Sequence, residues 1–116
     1  MNYDFLPCEV NDGSILPGQY VLAPAWPNPF NPATTIRYEL PAAVPVYLTV
    51  YDLLGREVTR LVQGLQPPGF HEIQWDGSDR NGRLAPTGVY IARMLVPPQA
   101  GSTPGYTRSV KMLLLR

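Results

Sequence analysis

Side chains able to carry chemistry are few, and they are badly spaced for it. His71 is the only histidine and Cys8 the only cysteine, and no serine stands in a Gly-x-Ser-x-Gly setting, so a covalent hydrolase has neither nucleophile nor base in register. No catalytic residue is expected. Cys8, without a second thiol, can build neither an internal disulfide nor a thiolate zinc site. Asp76, Asp79 and Asn81 share one loop and offer the hard oxygens that Ca²⁺ takes. Their spacing is not that of an EF-hand and no bidentate Glu follows, whereas Asp76-Gly77 and Asn81-Gly82 are ordinary turn formers. The turn reading is preferred, with no metal and no cofactor. Trp26 and Trp75 could form a platform for a sugar face, but Trp75 alternates with Ile73 and reads as core, while Trp26 stays open. His71, between Phe70 and Glu72, reads as a structural strand residue.

Nine basic residues balance nine acidic ones in 116, which leaves no overall field for nucleic acid or an anionic membrane. No run of residues is long and apolar enough for a transmembrane helix. The first residues, Met1-Asn2-Tyr3-Asp4, lack the basic and apolar regions of a signal peptide.

The elements that must position these residues are strands. Fourteen prolines and ten glycines interrupt the chain too often for long helices, and the apolar and aromatic content is ample for one core. Residues 1–19, with Pro7, Gly13, Pro17 and Gly18, show no period and read as a linker or the end of a preceding module; residues 20–116 are the expected domain. Strands are predicted over Tyr20–Ala23, Thr35–Leu40, Val46–Asp52, Arg56–Val62, Phe70–Trp75, Gly88–Val96 and Tyr106–Leu115, from period-two alternation bounded by turn residues. Ile36, Tyr38, Leu40, Val46, Leu48 and Val50 should face inward, with Tyr47, Thr49 and Tyr51 outward. Gly55 should take a positive φ in the turn between the third and fourth strands. About seven short strands at this spacing predict an all-β, immunoglobulin-like antiparallel sandwich.

The densest punctuation is Trp26-Pro27-Asn28-Pro29-Phe30-Asn31-Pro32. Prolines there predict a stiff strap outside any ladder, with Trp26 and Phe30 docked on a core edge and the asparagines bonding local backbone in Asx-type turns. A second unusual stretch ends the sequence. Lys111-Met112-Leu113-Leu114-Leu115-Arg116 is apolar on both faces, which reads as a central or fully covered strand.

The order Pro27-Asn28-Pro29-Phe30-Asn31-Pro32, Val50-Tyr51-Asp52, Gly55-Arg56-Glu57-Val58, Trp75-Asp76-Gly77, Gly88-Val89-Tyr90 and Lys111 before an apolar tail resembles the C-terminal sorting domains of the type IX secretion system. The stretch from Ile36 to Tyr90 is also similar to the immunoglobulin-like domain of the flagellar hook-capping protein. The resemblance implies a non-enzymatic protein-transport module attached to an upstream cargo domain, secreted or placed at the cell surface. Its implied partners are the type IX outer-membrane translocon and a sortase-like protease. It also implies that Lys111 to Arg116 carry export recognition, through backbone pairing at an exposed edge, so that trimming them from a reporter fusion abolishes export without unfolding the reporter. Two departures stand out: Pro97–Gly105 lengthens the loop before the last strand, and Lys111 stands alone where a basic pair is often found. The rival reading is an immunoglobulin-like structural or adhesive domain of an extracellular or flagellar assembly.

Overall fold

Alternating apolar residues give each strand one face to bury, and a sandwich buries two such faces against each other. In the computed structural model, which describes residues 18–100 and 105–116, seven strands do this: β1 (Val21–Leu22), β2 (Thr34–Leu40), β3 (Val44–Asp52), β4 (Glu57–Gln66), β5 (Gly69–Trp75), β6 (Gly88–Val96) and β7 (Tyr106–Leu114). They form two antiparallel sheets, one ordered β1-β2-β5 and the other β4-β3-β6-β7. The all-β, immunoglobulin-like prediction holds. Residues 1–17, with Cys8, Pro7 and Pro17, and part of the 97–105 loop lie outside the described residues.

Between the sheets, Ile36, Tyr38 and Leu40 of β2 meet Val46, Leu48 and Val50 of β3 and Tyr90, Ala92, Met94 and Val96 of β6. These are the faces that alternation selected. Thr49 departs from it, being only 7% exposed although it points to the outer face. It sits in the middle strand of its sheet, opposite Arg60 and Arg93, beside a shift in register after Leu48. Long side chains on both neighbouring strands cover so small a residue.

Two strands run further than expected. β4 continues past Val62 to Gln66 because Gly64, at φ +132°, still pairs with Val46. A ladder partner outweighs the poor strand preference of one glycine. β3 starts at Val44 and includes Pro45, which lies before β6 begins to pair at Tyr47. There the strand has one neighbour, and a residue without N–H is tolerated. β1 is shorter than predicted, although Ala23 N still donates to Arg37 O at 2.9 Å.

Turn chemistry agrees with the sequence. Asp52 Oδ1 accepts from the N–H groups of Leu54 and Arg56, and Gly55 takes φ +83°. Tyr90, near the start of β6, donates its hydroxyl to Pro86 O at 2.6 Å, the arrangement known in sandwiches as a tyrosine corner. Burial raises the pKa of this phenol above its ordinary value.

Candidate functional site: a proline strap clasped to the last strand

The prolines of the strap remove three backbone donors, so few N–H groups remain to make local turns. Its X–Pro bonds at Trp26, Asn28 and Asn31 are cis. Instead of standing outside the ladders, the strap ties the two sheets together. Trp26 exchanges two backbone hydrogen bonds with Thr35 of β2, at 3.0 and 2.9 Å, and the buried Thr34 hydroxyl donates to Pro27 O at 2.7 Å. Further on, Phe30 N donates to Leu113 O and Leu115 N donates to Phe30 O, making a parallel bridge to β7.

Asn28 completes the clasp. Its Nδ2 donates to Lys111 O and its Oδ1 accepts from Leu113 N, both at 2.9 Å, so one side-chain amide stands in for a peptide unit. The local Asx turn expected at Asn28 does not form. Pro27 and Pro29 have no N–H to offer, and the N–H of Phe30 is spent on Leu113. Lys111 O, both backbone groups of Leu113 and Leu115 N are thus all engaged, and the outer edge of β7 is covered over this stretch.

Phe30 is 2% exposed and packs on Trp75 with ring centroids 5.5 Å apart, while Trp75 meets Tyr90 edge-on at 5.2 Å. Trp26 behaves differently from Phe30. It is 77% exposed, and the expectation that it docks on the core is overturned. Its backbone is held to β2, and a residue on a strand-like segment whose neighbour turns inward must point outward. Pro27, Asn28, Pro29, Asn31 and Pro32 are exposed as well.

The end of the chain closes the same pole. Arg116 donates from Nε to Ala85 O at 2.9 Å and from Nη2 to Gly77 O at 2.6 Å, while its backbone N–H donates to Thr87 Oγ1. Gly77 has φ +79°, which calls for glycine, and a Cβ there would lie 2.9 Å from Arg116 Nη2, so a side chain would also displace the guanidinium from its seat. Trp75 Nε1 donates to Ser78 O across this turn. Gly88 and Val89, which open β6, pair with Leu114 and Leu113.

Of the residues proposed for export recognition, Met112 and Leu114 are fully buried core residues and Leu113 is half-buried. Only Lys111, Leu115 and Arg116 are exposed, and Arg116 is tied down. Trimming Lys111–Arg116 would therefore take two core side chains and the seat of the strap with it.

The acidic loop is built from turn caps. Asp76 Oδ1 accepts from the N–H and hydroxyl of Ser78, and Asp79 Oδ1 accepts from the N–H groups of Asn81 and Arg83. The Ser78 bonds hold Asp76 below the usual carboxylate range. His71 stacks on Tyr38 at 4.9 Å, and its Nε2 lies 2.8 Å from Pro67 O. The Asn28 clasp was missed at the sequence level, and the only signal for it was that proline left this amide no local partner.

The sequence profile of the FlgD Ig-like domain matches residues 31–95. The chain belongs to the FlgD Ig-like domain family. The FlgD-type fold recurs in solved structures. FlgD from P. aeruginosa has a TM-score of 0.54 at 28% identity, over 70% of this chain and 60% of that one. Dimeric latent PorU from Porphyromonas gingivalis gives 0.65 at 24% identity, over 88% of this chain and 10% of that one. PorZ, described as an essential bacterial surface component of the type-IX secretion system of the same organism, gives 0.52 at 16%, over 82% and 11%. At these identities PorU and PorZ are similar to this FlgD-type chain in fold, and the chain spans about a tenth of each of them. Among curated proteins, no sequence match was found. The matched residues 31–95 exclude most of the strap and all of β7, so the clasp lies outside the segment that defines the family.

Proposed function

We propose that this FlgD-type domain is a non-catalytic sorting module of a larger secreted protein, recognised by the outer-membrane machinery of type IX secretion and delivered to the cell exterior or surface. Residues 1–19 would lead from an upstream cargo, and the partners would be the translocon and a sortase-like protease. The observation that carries this reading is the clasp. The motifs of the resemblance are scattered from Pro27 to Arg116, yet Phe30, Trp75, Gly77, Tyr90 and the end of β7 meet at one pole through the contacts described above. A shared sandwich alone would not require the strap or the arginine lock. A similar fold in a type-IX surface component, PorZ, supports the same reading.

The test fuses the whole chain to a folded reporter in a host that has the type IX machinery. Reporter outside the cells, lost when the translocon is deleted, is the expected outcome. A folded fusion that stays inside would overturn the proposal. Family membership favours a second reading, a structural or adhesive domain of an extracellular or flagellar assembly. In that case the chain supports assembly or adhesion, and the translocon deletion leaves it unaffected.

A further inference from the structure

The clasp covers only part of the β7 edge. The strap bonds fall on Lys111, Leu113 and Leu115, so the odd-numbered residues of β7 turn their backbone groups away from β6. By the same alternation Thr107 and Ser109 point theirs outward. Neither has a backbone partner on that side among the described residues, and Thr107, Arg108 and Ser109 are all exposed.

Charge distinguishes this edge from the rest of the molecule. Although the chain is neutral overall, no Asp or Glu follows Asp79, while Arg80, Arg83, Arg93, Arg108, Lys111 and Arg116 do. Two of these flank the open edge: Lys111 shares the face of Ser109, and Arg108 projects from the other face. Arg93, opposite Ser109 on β6, is turned the other way, over the Tyr51 ring of β3 at 5.1 Å with its Nη2 donating to the Tyr51 hydroxyl, and no carboxylate among the described residues pairs with Arg108 or Lys111.

We propose that Thr107–Lys111 is a docking edge for an extended acidic segment of a partner protein, which adds to the β4-β3-β6-β7 sheet as a further strand beside the strap. Main-chain bonds to Thr107, Ser109 and Lys111 N supply the attachment, and carboxylates of the added strand meet the cations on both faces. A second copy of this chain is disfavoured there. Pairing β7 with itself about Ser109 would set the two copies of Arg108 as diagonal neighbours on one face with no carboxylate between them. The surface belongs to the folded chain itself, so this inference does not depend on the export reading.

The test uses the full chain labelled with ¹⁵N and a capped peptide of alternating Glu and Val. Expected results are amide shifts centred on Thr107, Ser109 and Lys111, and affinity that falls as salt rises from about 0.05 to about 0.5 M. A capped control peptide of alternating Lys and Val should not bind. Ser109→Pro removes an outward N–H that serves no internal ladder and should abolish binding with the fold retained. If that variant does not fold, Arg108→Glu with Lys111→Glu carries the test, with a loss of at least about tenfold in affinity for the acidic peptide. Four results would overturn the proposal: no shifts at millimolar peptide, equal binding after N-methylation of alternate peptide amides, shifts centred elsewhere, or dimerisation of the chain through Thr107–Lys111.

Discussion

Trp26 and Phe30 sit four positions apart in one proline-rich strap and have opposite fates. Phe30→Ala should cost about 3–5 kcal/mol, the range for emptying a buried aromatic site, because it removes the ring that packs on Trp75. Trp26→Ala should stay within about 0.5 kcal/mol, as for other solvent-facing substitutions. Urea unfolding of the two variants checks the pair, and equal losses would mean that the strap is seated differently. Alternation could not separate these aromatics, since prolines break the period that assigns a face. Trp75 was legible because Ile73 precedes it on the same side. Asn28 was not, because its partners stand 83 and 85 residues away and no local pattern encodes a contact at that distance.

At the scale of elements, the β3–β4 hairpin shows how a single carboxylate sets a turn. Asp52 bonds the backbone N–H groups of Leu54 and Arg56 and the Arg56 guanidinium. The Arg56 backbone bond is the largest of the causes that lower its pKa in the folded state. A carboxylate lowered by folding binds its proton more readily in the unfolded chain. Its contribution is therefore complete above the unfolded value of about 3.9 and is lost as pH falls toward the folded one. The acid limb of unfolding should be shallower in Asp52→Asn than in the parent, and identical limbs would remove the turn from the account. Strand positions and most inward faces were readable from periodicity. The ends of β3 and β4 were not, because Pro45 and Gly64 are tolerated by neighbouring strands that the local sequence does not reveal.

For the molecule as a whole, the last strand is built into the core of the sandwich. Deleting Lys111–Arg116 removes Met112 and Leu114 from the core and the anchors of Asn28, Phe30 and Gly77 together. Loss of folded structure is the expected outcome, since each buried aliphatic or Met side chain alone is worth about 2–5 kcal/mol against a total stability of about 5–15 kcal/mol. Circular dichroism and proteolysis of the truncated chain check this. A native-like, protease-resistant product would show that β7 adds little. Export assays on such truncations would report unfolding, so exposed Lys111 and Leu115 are the positions to substitute when recognition is the question.

The parallel sense of the strap and β7 has a mechanical consequence. Pulling the two ends of the domain apart draws the strap toward its own start and β7 toward its own end, so the two slide past each other in opposite directions. The bonds at Lys111, Leu113 and Leu115 are then loaded in shear and must fail together, whereas an antiparallel hairpin pulled at its open end unzips one bond at a time. A load from the N-terminal side meets the β1–β2 pairs and the Trp26–Thr35 bridge first, and the clasp is the shear-loaded joint behind them.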